Sequence, residues 1–490
     1  MNYGIISYVL GYVCYFEAAF LMLPFLVSLI YREYMVGAAY VAVAVLCALI
    51  GLGFTHRTPQ ERMYTKEGLV TVSLSWILLS ILGALPFRIS GEIPHYVDAL
   101  FETISGFTTT GSSILTDVEA MSHAGLFWRS FTHWVGGMGV LVFILAILPS
   151  KGGAFMNLMK AESPGPSVSK FVPRLRDTAL FLYGIYMGMT VIQIILLLIG
   201  RMPLFDAVTL TMGTAGTGGF AVKNTGIADY TTYQQGVITV FMILFGVNFN
   251  TWFLVVKKKP KQAFKSEEVW TYFAIIAISV LVITFNILPM FPNLFQAFHH
   301  AAFQVGSIIT TTGYSTRDFN MWPPLSKTIL MILVFIGACA GSTGGGIKVS
   351  RVVIMVKGIG KEIRMLLHPR SVHKVRMDGR PIEHEVVRSV NVYLAVYVLI
   401  FVGSLLIITL DEKDLVTNFT AVAVTLNNIG PGLEVVGPAG NFSSFSDVSK
   451  LVLCLDMLAG RLELFPMLML FVPSVWTQRR PGKIRKNKEA

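Results

Sequence analysis

Charged residues are scarce in this chain. Asp, Glu, Lys and Arg make up 14% of its 490 residues, against roughly 25% in soluble globular proteins, so a large soluble protein is a poor fit. Cysteine is scarcer still: Cys14, Cys47, Cys339 and Cys454 all fall inside apolar stretches and show no metal-ligand spacing, so they read as small packing residues. No secretory cleavage pattern follows the first apolar segment, Gly4 to Ile30, which is too long for a signal h-region and is expected to remain as a helix. No Ser/His/Asp set, His-Glu-x-x-His motif or paired catalytic carboxylates fall inside the apolar spans, and no nucleotide fingerprint occurs. An enzyme is therefore not expected.

What the chain has is hydrophobic length. With 54% hydrophobic residues, it contains ten stretches long enough to cross about 30 Å of hydrocarbon as helices. They lie near 4–30, 36–54, 69–87, 127–149, 178–200, 235–256, 270–289, 328–357, 390–410 and 450–475. The alternate loops 56–67, 151–177, 257–268, 348–388 and 478–490 hold 29 of the 39 Lys and Arg residues. The positive-inside rule makes those loops cytoplasmic, and an even number of spans puts both termini there. The net charge of +11 then follows from this asymmetry and from anionic lipid at the inner surface, which leaves nucleic acid little support as a partner.

Between the members of each of the last four pairs of spans sits a moderately apolar segment of about 12–15 residues, too short to span and suited to a re-entrant helix. Each leads into a glycine phrase: FETISGFTTTGSS (101–113), VTLTMGTAGTGGFA (208–221), FQVGSIITTTGYS (303–315) and AVAVTLNNIGPGLE (421–434). Aligned on glycine, the phrases put Gly111, Gly219, Gly313 and Gly432 in register. Four like loops in one chain suggest a fourfold ring, and such a ring in a membrane suggests an ion pore. Glycine lets backbone run close to a ligand, so successive carbonyls can replace the water shell of a dehydrated monovalent cation. Thr109, Thr110, Thr311 and Thr312 add hydroxyls. The fourth phrase diverges, with Asn427, Asn428 and Pro431 where threonines stand elsewhere. Glu102 and Asp206 are read as N-terminal caps of re-entrant helices, and His133 as a packing residue.

The span 328–357 contains Gly337, Gly341, Ser342, Thr343, Gly344, Gly345 and Gly346. Each helical glycine costs about 1 kcal/mol relative to alanine, so the helix is expected to break there, and broken helices in membranes mark transport paths. The string is not a phosphate loop, because Ile347 separates Gly346 from Lys348. Arg461 stands about a dozen residues into the last span, where a charge is costly and faces the bundle interior. Neither Asp456 nor Glu463 has the helical spacing to pair with it.

The phrases TTTG, GTAGTGGF, TTTGYST and NNIGPGLE, with GACAGSTGGGIK and MLAGRLELFP, resemble the membrane subunit of Trk-type potassium uptake systems, in the superfamily with Ktr and HKT transporters. The resemblance runs over essentially the whole chain and points to the TrkH branch. It implies an all-α polytopic membrane protein with four tandem helix, re-entrant loop and helix repeats around a pseudo-fourfold pore, plus an N-terminal two-helix extension. The expected division is 1–67 for the extension, 68–150, 151–258 and 259–357 for the first three repeats, 358–388 for a basic cytoplasmic loop, and 389–490 for the fourth repeat and tail.

The resemblance also implies a potassium filter at Gly111, Gly219, Gly313 and Gly432 with the flanking Thr109, Thr110, Gly218, Thr311, Thr312, Ile429 and Gly430. It implies a gate at Gly341 to Gly346 with Arg461, a homodimer in the inner membrane, and a cytosolic TrkA-like nucleotide-binding ring as partner. Potassium is the transported ion, and no organic cofactor is expected in this chain. A proton- or sodium-coupled symporter is the rival mechanism.

Overall fold

The computed structural model describes residues 1–56, 63–139, 175–263, 265–369 and 373–476. The basic stretches 151–174 and 478–490, and the last part of the span predicted at 127–149, lie outside these residues. The regular secondary structure of the described residues is helical apart from one two-stranded antiparallel hairpin, in which Arg376–Met377 pairs with Arg380–Pro381.

Among the described residues, six helices are long and apolar enough to cross a membrane. They include α1 (Tyr3–Ile30), α2 (Tyr34–Thr55), α3 (Thr65–Ser90) and α6 (Leu175–Ile199), with α10 (Glu267–Ile287) and α14 (His384–Ile408) further along. Uniform hydrophobicity fixes their depth, and local chemistry fixes their ends. Asn2 caps α1 by accepting the N–H groups of Gly4 and Ile5 at 3.1 and 3.4 Å, which satisfies two of the free donors of a helix start. Gly91, at φ 81°, ends α3 in the left-handed conformation that glycine adopts without strain. The α1–α2 hairpin closes through small residues. A Cβ built on Gly51 lies 2.9 Å from the Tyr15 ring and 3.0 Å from the Gly11 carbonyl, the close approach that glycine permits between apolar helices.

Between the long helices run four short ones: α4 (Tyr96–Phe107), α7 (Leu204–Gly216), α11 (Leu294–Ile309) and α15 (Leu415–Leu426). Each is followed by one of the glycine phrases and then by an inner helix. Those inner helices are α5 (His123–Met138), α8 (Thr232–Phe245) with α9 (Phe249–Val256), α12 (Pro324–Ile336) with α13 (Val349–Leu367), and α16 (Asp447–Arg461) with α17 (Phe465–Leu470).

The inner helices correct the expectation of uninterrupted spans. A break is predicted in 328–357 and found there, but the stretches 235–256 and 450–475 break as well. Helix α8 turns by 95° into α9, with Asn248 capping the new start through the N–H of Asn250 at 2.8 Å. Helix α16 stops before Glu463 and Leu464, both at positive φ (59° and 68°), and Pro466 starts α17. The apolar composition on both sides of each break is continuous, so hydropathy alone merges the pieces. Among the described residues, which leave out the end of the stretch 127–149, six helices are long enough to span, or seven if the bent pair is taken as one.

Two substitutions separate packing from exposure in the N-terminal hairpin. Gly51→Leu is expected to destabilise the protein by about 1–3 kcal/mol through overpacking. Gly53→Leu, where an added Cβ meets nothing within 4 Å, is expected to leave stability unchanged. Thermal melts in detergent check both.

Candidate functional site

The four short helices end in one and the same way. Thr109, Thr217, Thr311 and Asn428 sit at φ 55°, 55°, 61° and 56°, in the left-handed region that β-branched residues rarely occupy. Each donates its N–H to the carbonyl three residues back: Gly106 (3.0 Å), Thr214 (3.0 Å), Ile308 (3.0 Å) and Thr425 (3.2 Å). The following residue donates to the carbonyl five back: Thr110 to Ser105 (2.9 Å), Gly218 to Gly213 (2.8 Å), Thr312 to Ser307 (2.8 Å) and Ile429 to Val424 (2.8 Å). This is a Schellman closure, made four times.

The residue after that pair is Gly111, Gly219, Gly313 or Gly430. The register of the fourth phrase therefore differs from the alignment on glycine spacing. Gly430, not Gly432, occupies the fourth equivalent place. Gly432 packs back on its own helix, where a Cβ would stand 2.8 Å from Thr420 Oγ1, and its N–H goes to Val436 O at 2.7 Å. The left-handed residue sets the register, and at the fourth corner that residue is asparagine, which favours this conformation.

The four loops touch in sequence around a closed ring. A Cβ on Gly111 would collide with the carbonyl of Gly218, and one on Gly219 with the carbonyl of Thr312. One on Gly313 would lie 2.9 Å from Gly430 N, and one on Gly430 2.9 Å from the carbonyl of Gly111. Glycine is needed at Gly111, Gly219 and Gly313 for positive φ (80°, 81°, 85°) as well as for proximity. At Gly430 proximity alone demands it.

Side chains behind the ring hold neighbouring corners together. Ser112 Oγ donates to Gly430 O at 3.1 Å, and Asn428 Nδ2 to Thr110 Oγ1 at 3.0 Å. Tyr314 Oη reaches Leu210 O and Phe220 O at 3.1 and 3.2 Å. His133 is fully buried and stacks on Phe220 with centroids 4.2 Å apart.

Glu102 departs from its expected role as a cap. It lies at the seventh position of α4, where its carboxylate accepts Arg129 Nε at 2.8 Å and the N–H of Ile114 at 3.0 Å. Arg129 in turn lies 4.0 Å over the Phe220 ring. This buried ion pair braces the first loop and reaches the second. The pairing spans 27 residues, too far for any local pattern to reveal.

Beside the ring lies the glycine-rich segment 337–348. Helix α12 ends at Gly337 (φ 71°), and the chain runs non-helically until α13 begins. Gly341, Ser342, Thr343, Gly344, Gly345 and Gly346 are brought together here with Arg461. The segment fills the break in the neighbouring inner helix: Cys339 N–H donates to Gly246 O at 3.1 Å, and Phe249 N–H to Gly341 O at 2.9 Å. Each break supplies the polar groups the other leaves open, as backbone at membrane depth requires.

Arg461 donates to Thr343 O at 2.8 Å, to Gly137 O at 2.8 Å and to Gly136 O. It therefore ties the segment to the end of α5. Asp456 takes the Ser404 hydroxyl at 2.7 Å and Glu463 pairs with Arg351, consistent with their unfavourable spacing from Arg461. Two further residues belong to this assembly that sequence patterns did not single out. Glu268 Oε1 accepts the N–H groups of Ala340 (2.6 Å) and Ser350 (3.2 Å), clasping both ends of the segment. The Lys348 ammonium, buried, caps the carbonyl of Gly344. Glu268 follows Glu267 at the start of α10, and acidic residues there read as dipole partners, which hides its long-range contacts.

The fold and ring define a helical membrane protein with four non-helical loops meeting in one ring, the architecture of a membrane transport protein. Comparison with known proteins makes this specific. The family described as "TrkH: Cation transport protein" matches residues 38–478. The Trk system potassium uptake protein TrkH of Escherichia coli strain K12 is 34% identical over 489 residues, covering 98% of this chain and all of that protein. The Trk system potassium uptake protein TrkG of the same strain is 31% identical over 479 residues, covering 96% of this chain and 98% of that protein. The crystal structure of the potassium transporter TrkH from Vibrio parahaemolyticus superposes with a TM-score of 0.87 at 31% identity, covering 97% of this chain and all of that one. The chain belongs to the TrkH family.

Removing one partner of a buried ion pair costs about 3–5 kcal/mol, so Glu102→Ala is expected to destabilise the protein by that amount. The double variant Glu102→Ala/Arg129→Met is expected to lose less than the single one. Thermal unfolding of the purified variants reads the difference.

Proposed function

We propose that this chain takes up potassium across the inner membrane through a selective, gated pore. The observation that carries the reading is the closed ring in which Gly111, Gly219, Gly313 and Gly430 meet, each held by the same helix-end geometry. Four helix C-termini approach this ring, and their negative dipole ends favour a cation. Carbonyls around Thr109, Thr110, Gly218, Thr311, Thr312 and Ile429 serve as ligands that replace the ion's hydration shell. The potassium named for the related uptake proteins fits such an oxygen-rich site. Gly432 contributes by bracing the fourth loop.

Residues 341–346 act as the gate, and Arg461 holds them closed through Thr343 while placing a positive charge near the path. The division into an N-terminal extension at 1–67, repeats at 68–150, 151–258, 259–357 and 389–490, and a basic loop at 358–388 describes the same pore. Both termini and the basic loops face the cytoplasm, two copies form a dimer, and a cytosolic nucleotide-binding ring like TrkA regulates the gate. In this reading the ion is cargo, and the chain's part is to pass it.

Rubidium uptake into proteoliposomes holding this chain alone tests the reading. Uptake driven by the rubidium gradient and independent of a pH or sodium gradient is expected; a strict need for either gradient would assign coupled symport instead. Gly313→Val is expected to abolish discrimination against sodium, checked by competition uptake. Arg461→Ala removes charge-assisted hydrogen bonds worth roughly 1.5–3 kcal/mol each and is expected to raise rubidium flux about tenfold or more. Unchanged flux rejects the closing role.

A further inference from the structure

The four register-equivalent residues Thr109, Thr217, Thr311 and Asn428 share one backbone conformation, yet their side chains meet four different fates. Thr109 Oγ1 is buried without a hydrogen-bond partner. Thr217 Oγ1 turns to its own backbone, donating to Gly216 O at 2.6 Å. Asn428 Nδ2 bonds Thr110 Oγ1 at 3.0 Å and Met457 O at 2.8 Å. Thr311 Oγ1 alone of the four accepts a bond from the glycine segment, from Gly345 N–H at 2.6 Å. The next amide of the segment, Gly346 N–H, donates to Asn427 O at 3.0 Å. Two successive N–H groups therefore join the segment to the third and fourth loops. A Cβ on Gly344 would stand 2.8 Å from Thr310 O, so the two backbones are in direct contact.

We infer that the glycine segment, while seated, is a structural part of the ring, and that the Thr311 hydroxyl is the positioning residue that couples gate to selectivity. The inference rests on the pore reading given above. Both bonds are buried, so unseating the segment leaves the two amides and the Thr311 acceptor to find new partners, a cost that favours the closed state. Once it leaves, the third and fourth corners lose a fixed support that the first and second never had. The open ring is looser on one side, and its discrimination between ions falls as flux rises. A cytosolic regulator acting on the segment therefore changes which ions pass as well as how many.

The test uses the full chain in proteoliposomes, with rubidium and sodium uptake measured for Thr311→Val, Thr311→Ser and the deletion of residues 343–346, singly and combined. Valine keeps the shape and removes the acceptor; serine keeps the hydroxyl. Thr311→Val is expected to raise rubidium flux roughly tenfold and lower the rubidium to sodium ratio, with Thr311→Ser restoring both toward the parent values. In the chain lacking 343–346, the valine and serine variants are expected to give equal flux, since contacts that no longer exist cannot be lost twice. Should Thr311→Val fail to fold, Thr311→Ala carries the same comparison. Flux unchanged by removal of the hydroxyl overturns the coupling, as does the same fold increase in the deleted chain. Absence of rubidium uptake in every form, including the deletion, overturns the pore reading itself and the coupling with it.

Discussion

A departure from the helix at membrane depth must find its hydrogen bonds inside the protein or along a polar path, because hydrocarbon offers none. That single constraint organises the structure. Four short helices end within the bundle, and each gives two carbonyls of its last turn to the two N–H groups that follow, at 2.8–3.2 Å. Several further polar groups of the loops are met by neighbours: Ser112 with the Gly430 carbonyl, Tyr314 with the carbonyls of Leu210 and Phe220, and Glu102 with the Ile114 amide.

The same constraint explains why two breaks lie together. The bend between Phe245 and Phe249 exposes a carbonyl and an amide, and the segment 337–348 exposes several more. Placed side by side, they pair through Cys339 with Gly246 and Gly341 with Phe249. Charged groups complete the matching at the margins: Glu268 takes two amides, and Lys348 and Arg461 take carbonyls. These residues are charged because a charge makes the stronger hydrogen bond in a medium of low polarity. Glu268, Lys348 and Arg461 are each joined to backbone dipoles, and Arg351 is joined to Glu463.

Much of this was legible in the sequence, for reasons that differ by residue. The six long helices follow from sustained hydrophobic runs. The first three corners follow from glycines that must adopt positive φ, which no other residue does as readily. The break after Gly337 follows from the density of glycine. At the fourth corner two glycines, Gly430 and Gly432, stand two residues apart, and glycine spacing does not choose between them. Only the left-handed Asn428 decides it, because the residue that ends each short helix stands two positions before the ring glycine. The bend at Gly246–Asn248 and the stop at Glu463–Leu464 were hidden by apolar sequence on both sides. Glu102 with Arg129 and Glu268 with Ala340 and Ser350 were hidden because their partners are remote in the chain, and no local pattern encodes a contact across 27 or 72 residues.

The helix-end closures have one more consequence, for how the protein is made. Their bonds join residues three and five apart, so each short helix and its curl can take shape as soon as its own segment has entered the membrane, before its neighbours are synthesised. Assembly then has only to bring four preformed curls into contact, a search over rigid pieces rather than over open chain. The closure tolerates different residues at its left-handed position, threonine at three corners and asparagine at the fourth.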